Sequence, residues 1–274
     1  MMKIKLIAFF SALILFYNCT GNDENQPGEN LSPIVVIKKL TIQEGSDIRY
    51  DDFIYEDNKL KGINHSNGNS IAFTYDGNKI SEAVKNDSGQ SIVYAFNYKN
   101  DSLLVSFENS PDYKASGKYQ KCVFTYNSKG DLGSINNQSS KGSYYMFIEK
   151  DSLNKNIVHS WYGPDDTYLV VDGKNNPYIN MNENIKKFLF SYVRDYDEPN
   201  IYSPDLLYSL NENNILVYNW KYSSISQPTN TFHHNEIIYN SDNFPIKMLH
   251  KNTKNDVNGT LIRQYDIEYQ IIYQ

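Results

Sequence analysis

Along residues 53–132 one alternation of apolar and polar positions returns four times: FIYEDNKL (53–60), FTYDGNKI (73–80), FNYKNDSL (96–103) and FTYNSKGDL (124–132). In an extended chain, residues two apart share a face, so Phe53 and Tyr55, Phe73 and Tyr75, Phe96 and Tyr98, and Phe124 and Tyr126 form four paired aromatic faces. The intervening Thr74, Asn97 and Thr125 are polar, which predicts strands packed on one face and wetted on the other. A cluster of Asn, Asp and Gly follows each pair, residues that tolerate the positive φ of tight hairpin turns. A return strand then opens on Leu60, Ile80, Leu103 or Leu132. Each copy therefore predicts a β-hairpin, and the 20 to 28 residues between successive tyrosines leave room for one further connection. Tyr75 and Tyr126 are expected to be mostly buried beside Phe73 and Phe124.

Later copies are worn. FIEKDSL (147–153) keeps Phe147 and Leu153 with Glu149 in the Tyr position, and IIYNSDNFPIKML (237–249) keeps the Tyr, the turn and the return strand. RQYDIEYQIIY (263–273) alternates Tyr265, Ile267, Tyr269 and Ile271 on one face and reads as a closing strand. Two stretches change period. Ile185, Phe188, Leu189 and Tyr192 recur at i, i+3, i+4 and i+7, which predicts a helix with Asn182 or Asn184 as its cap. SPDLLYSL (203–210) has Ser203 at an N-cap position and Pro204 behind it, which predicts a second, shorter one. The expected fold is all-β: a large antiparallel meander of hairpins, curled or barrel-like to manage its edges, with one or two short helices inserted around 182–210. The 24 tyrosines suit such a sheet, because the ring packs while the hydroxyl reaches water or a polar partner.

Ahead of the repeats, Lys3 and Lys5 precede an apolar run at residues 6–16 broken only by Ser11, which has the length of a secretory signal core and is too short to span a bilayer. The following segment resembles a bacterial lipoprotein processing site, with Phe16 and Asn18 where such sites usually carry Leu and a small residue. Residues 1–18 are thus expected to be a signal peptide and Cys19 the lipidated residue. Residues 19–33, rich in Asn, Gly, Glu and Pro, are expected to be a disordered tether. Residues 34–274 are expected to form a single repeat-built β domain. Asp23 and Glu24 resemble the acidic signal that directs Bacteroidetes lipoproteins to the cell surface. The expected location is the outer membrane, lipid-anchored on its outer face, with the periplasmic face as the alternative.

The remaining Cys122 lies on the strand face of Phe124 and Tyr126, so it is expected to be a buried, inert thiol. Without the two lysines of residues 1–18 the chain carries 24 basic and 32 acidic side chains, a net −8 with histidine neutral. No basic stripe interleaved with aromatics occurs, and this balance speaks against a nucleic-acid partner.

VVDGKNNPYINMNENI (170–185), SLNENNILVYNWKY (209–222) and YNSDNFPIKM (239–248) resemble signature segments of a family of Bacteroidetes outer-membrane lipoproteins of unknown function. In that family a turn of the form here spelled by Asp172, Lys174, Asn176, Pro177 and Tyr178 precedes a central helical excursion, and a segment with Asn213 and Asn214 resumes the strands. The resemblance implies an antiparallel, possibly barrel-like β-fold and no known reaction. The Phe-x-Tyr copies also resemble the tyrosine-aspartate repeats of toxin-encasing shells, which are far larger.

Two places offer chemistry. His234 and Glu236 share a strand face and would supply two metal ligands, but no third is legible nearby, so a surface strand is the simpler reading and no metal is expected. Trp161 and Tyr162 precede a Gly-Pro turn bearing Asp165 and Asp166, a set that fits stacking on a sugar or a partner side chain, against the plain alternative of a hairpin tip. No nucleophile elbow, zinc-protease, phosphate-loop or dinucleotide motif is present. The expectation is a noncatalytic envelope protein binding glycan, peptide or protein, without a cofactor. The alternatives are a structural accessory subunit of an outer-membrane complex or, less favoured, a saccharide-acting enzyme.

Overall fold

The computed structural model of the chain describes residues 34–140, 142–150, 156–160, 168–192, 210–222 and 229–274. The expected signal peptide and tether, Leu153 and residues 203–209 of the second predicted helix lie outside them. Contacts group Ile34–Gln274 into one compact unit. Its first strands are β1 (Ile37–Glu44), β2 (Asp47–Glu56), β3 (Lys59–His65), β4 (Ser70–Asp76), β5 (Lys79–Asp87), β6 (Gln90–Lys99), β7 (Leu103–Asn109) and β8 (Gln120–Tyr126). Then come β9 (Leu132–Ser139), β10 (Gly142–Lys150), β11 (Asn156–Ser160), β12 (Tyr168–Asn175), the helix α1 (Glu183–Tyr192), β13 (Asn213–Tyr222), β14 (Thr229–Tyr239), β15 (Pro245–Asp256) and β16 (Leu261–Tyr273).

All sixteen strands join one sheet in the order β11 down to β1, then β16 down to β12, and every pairing is antiparallel. The first and last strands thus meet in the middle, and the chain neighbours β11 and β12 are the two edges of a ladder that does not close. Because the meander alternates direction, its turns fall on two rims. One rim carries the turns after β2, β4, β6, β8 and β14. The opposite rim carries those after β1, β3, β5 and β15.

The repeated phrase builds the first rim. In each copy the return strand holds one extra residue opposite the tyrosine: Tyr55 faces Leu60, Tyr75 faces Ile80, Tyr98 faces Leu104, Tyr126 faces Leu132 and Tyr239 faces Pro245. These bulges sharpen the local twist. Three of these hydroxyls then donate to a carbonyl of the hairpin before them, Tyr75 to Leu60 (2.6 Å), Tyr98 to Ile80 (2.9 Å) and Tyr126 to Leu104 (2.6 Å). Tyr75 and Tyr126 pack against the core as expected and fall short of full burial, since their hydroxyls are spent at the rim. Turn residues Asp57, Asn58, Asn100 and Asp101 have the positive φ that their type allows.

Two copies differ from the rest in detail. In the third copy Lys99 pairs with Leu103 across three residues, one more than separates Glu56 from Lys59, so Leu104 rather than Leu103 takes the buried position of Leu60. In β10, Met146 and Ile148 occupy the inner face, which turns Phe147 outward against Tyr145 at 4.7 Å between ring centres.

The predicted helix is α1. Asn182 caps it, its Oδ1 accepting from Asn184 N at 2.9 Å, and Ile185, Phe188 and Phe190 are fully buried. The segment from Tyr178 to Ser191 touches Phe53 on β2, Phe73 on β4, Tyr94 and Phe96 on β6, Phe107 on β7, and Gln120 and Asn137 on β8 and β9. On a flat sheet β2 and β9 would lie about 34 Å apart, at roughly 4.8 Å per strand. A ten-residue helix is only about 15 Å long. The sheet therefore curls around α1, with the apolar face inside.

The outer face mixes cross-strand ion pairs with exposed apolar side chains, among them Ile54, Val93 and Ile238. Ion pairs cross neighbouring strands at Lys39–Asp52 (3.5 Å), Lys121–Glu108 (3.0 Å) and Lys247–Glu268 (2.8 Å), and Lys251 also meets Glu236. No described helix is long and apolar enough to cross a membrane.

Candidate functional site

The inner face changes character between β13 and β15. In place of the aromatic rings stand His233, Asn235, His250 and Asn252, all buried, with the two histidines each 1% exposed. They converge because β14 and β15 pair His233 with Asn252 and Asn235 with His250. Asn235 Nδ2 donates to the Ile215 carbonyl at 2.7 Å, which leaves its Oδ1 to accept from His250 Nδ1 at 2.6 Å. That donation makes His250 Nε2 an acceptor, 3.1 Å from His233 Nδ1. The Asn252 amide stands against the His233 ring, 2.9 Å from Nδ1.

Burial pushes both imidazoles well below their ordinary range, His250 to about 4, with the His250 ring a second, smaller cause at His233. Both rings are neutral at physiological pH, and amides rather than carboxylates surround them. The cluster thus makes a polar lining held by tautomer choice. Among the described residues no group of three or more His, Cys, Asp or Glu side chains is placed to hold a metal ion.

A second polar node ties β12 to the strands beside it. Asp172 Oδ1 accepts from Lys174 N (3.0 Å) and Asn214 N (3.2 Å), and Tyr239 donates its hydroxyl to Oδ2. Lys174 Nζ lies 3.7 Å over the Tyr239 ring. Burial first, and the neighbouring carboxylate after it, raise the Tyr239 hydroxyl above its ordinary range. Tyr239 is thus a rim tyrosine whose acceptor is a carboxylate instead of a carbonyl. Asn213 Nδ2 donates to Lys174 O at 3.1 Å, Asn214 Nδ2 to Asn175 O at 3.0 Å, and Asn176 Oδ1 accepts from Tyr178 N at 2.8 Å. These bonds fasten the Asp172–Tyr178 turn at the entry to α1, with the Asn176 Nδ2 group buried and without a hydrogen-bond partner. The node is structural.

Of the residues singled out in the sequence, Cys19, Asp23, Glu24, Trp161, Tyr162, Asp165 and Asp166 lie outside the described residues. The strands flanking the last four, β11 and β12, end and begin at the rim opposite the tyrosines. Glu236 is paired with Lys251 and His234 is exposed, so these two serve the charged outer face. Cys122 is fully buried, and burial pushes its thiol up to about 12, which leaves it unreactive. The His233–His250 pair was missed because its partners are seventeen residues apart, and only the β14–β15 register brings them together.

No family model and no curated protein matches the chain. Among solved structures, a porin-like protein from Bacteroides uniformis is similar over 87% of this chain and 98% of its own, with a TM-score of 0.54 and 12% identity. The TcdB2-TccC3-Cdc42 structure aligns over 81% of this chain and 10% of its own, with 13% identity and a TM-score of 0.23. The first likeness is one of fold.

Proposed function

We propose that the protein is a noncatalytic binding module of the bacterial envelope, held to the outer membrane by a lipid on Cys19. The observation that carries this reading is the polarity of the curled sheet. A membrane-spanning barrel turns an apolar band toward lipid and keeps its interior polar, and each lysine at the lipid midplane costs about 2–4 kcal/mol. Here Lys39, Lys121 and Lys247 lie on the outer face in cross-strand ion pairs, while Phe53, Phe73, Phe107 and Phe124 line the inside with α1 packed against them. Such a sheet faces water outside. The porin-like neighbour therefore lends its fold and an envelope setting, and a channel does not follow.

A water-facing domain needs an anchor to stay at a membrane, and the lipoprotein-like segment around Cys19 supplies one. β1 starts at the tyrosine rim, opposite the rim that carries the turns after β1, β3, β5 and β15. β11 ends and β12 begins at that rim, and in this reading it is the recognition surface. Trp161, Tyr162, Asp165 and Asp166 are its contact residues for glycan or protein.

The test is Cys19→Ser in the native host. Palmitate labelling should disappear and the protein should leave the membrane fraction while keeping its fold. Membrane retention without labelling would refute the anchor. Trp161→Ala should leave the melting temperature unchanged and abolish recovery of the envelope partner; a large loss of stability would instead assign Trp161 to the core.

A further inference from the structure

β16 runs longer than the strand beside it. β1 pairs with it from Ile37–Tyr273 to Gln43–Glu268 and then turns away at Gly45. On its other side β15 follows β16 to Asn255–Leu261. Residues Leu261–Asp266 therefore have a ladder on one side only, and among the described residues nothing pairs with the other. All but the half-buried Tyr265 are exposed. Leu261 and Ile262 are among the more exposed large apolar side chains described, at 55% and 54%.

The direction of the free groups follows from the far end of the strand. Val36 and Gln274 exchange both backbone bonds, N to O at 3.2 and 3.0 Å, so the Gln274 groups point toward β1. In an antiparallel ladder alternate residues point the same way. Counting back along β16 by twos, the N–H and C=O groups of Asp266 and Gln264 point into the place β1 has vacated, up to the bulge at Ile262.

We infer that this edge takes up an extended polypeptide segment of a partner protein, which adds as a strand antiparallel to β16 in line with β1. The inference names the partner chemistry for the binding-module reading above, and it rests on that reading. Backbone groups require an extended chain, whereas a glycan offers no matching ladder. Edges in soluble proteins are commonly guarded by lysine, proline or a covering element. This one carries neither residue, and its only charges are Arg263 and Asp266. A stable dimer of whole chains buries roughly 1,200 Å² or more, and an edge of six residues, about 20 Å long, suits a single strand better than a second copy. The order of side chains also sets the partner's pattern: an acid opposite Arg263, a base opposite Asp266, and apolar residues opposite Ile262 and Leu261.

The peptide acetyl-Lys-Phe-Thr-Glu-Val-Leu-amide has that pattern when aligned antiparallel, with Lys at Asp266 and Leu at Leu261. Added to the full chain, it should slow amide exchange at Gln264 and Asp266 at least fivefold. Gln264→Pro deletes an N–H on the open side and leaves the β15 ladder intact. It should weaken peptide binding at least tenfold, while Gln264→Ala, which keeps the N–H, should stay within twofold. Equal binding by the two variants, or absence of protection at Gln264 and Asp266, would overturn the assignment. A wild-type dimer in light scattering that Gln264→Pro dissolves would overturn it in favour of a second copy. If Gln264→Pro recovers the envelope partner as wild type does, the edge is not the site and the binding-module reading survives.

Discussion

The inner face of the sheet has two halves that solve burial differently. Around β2 to β9, Phe73, Tyr94, Phe96 and Phe107 close on Phe188 of α1, whose ring centre lies 4.8 Å from that of Phe107 and 5.4 Å from that of Phe96, while Phe124 packs on Phe107 and Phe53 on Tyr178. Around β13 to β15 the same positions carry His233, Asn235, His250 and Asn252. Aromatic packing is non-directional and tolerates small shifts, with stabilisation that follows buried area. An amide–imidazole lining is directional: each proton must have an assigned acceptor, and a lost partner leaves a buried polar group costing about 1–3 kcal/mol. The aromatic half is therefore expected to set how stable the fold is, and the polar half the pH range over which that stability holds.

The sharpest way to break the aromatic half is Phe188→Ala, which removes the ring shared by β4, β6 and β7. A loss of about 3–5 kcal/mol is expected in denaturant unfolding. A loss below 1 kcal/mol would show that α1 is not central to the core.

The polar half is tested by acid. Folded, both histidines stay neutral, His250 down to about 4 and His233 lower, whereas unfolded they titrate near 6.5. Below pH 6.5 the unfolded chain binds more protons, so stability falls as pH drops from about 6.5 toward 4, by at most about 1.4 kcal/mol per pH unit for each ring. His250→Gln should halve that slope and Phe188→Ala should leave it unchanged. An identical slope in wild type and His250→Gln would remove the histidines from the account.

Smaller effects separate the rim from both halves. Tyr75→Phe and Tyr126→Phe keep the rings and delete the bonds to Leu60 and Leu104, for an expected loss of about 1 kcal/mol each. Truncating the rings as well, in Tyr75→Ala, should bring the loss to about 2–4 kcal/mol. Lys121→Ala, which breaks an exposed pair with Glu108, should change stability by about 0.5 kcal/mol or less. A larger change there would mean that the outer face is not freely solvated.

Much of the aromatic half was legible because its signal is local. Phe-x-Tyr, turn and return lie within eight or nine residues, so each hairpin could be read alone, as could α1 from its spacing of Ile185 and Phe188. The bulges were not visible, since an extra residue shows only against its partner strand. The polar half was illegible for a related reason. Asn235 and His250 look like surface residues of polar strands, and their burial depends on a curl that eight other strands enforce. Asp172 shows the opposite case, where a motif noticed in the sequence proved to be a fastening for the turn before α1.

The meeting of β1 and β16 bears on how the molecule is made. Hairpins from β2 to β11 depend on neighbours in sequence and are free to form as the chain emerges. β1 has only β2 until β16 is made, so one seam joining residues more than two hundred positions apart must wait for that strand. Until that pairing forms, the Ile37–Glu44 strand presents an unsatisfied side, and it is at this joint that a truncated or stalled chain would recruit another.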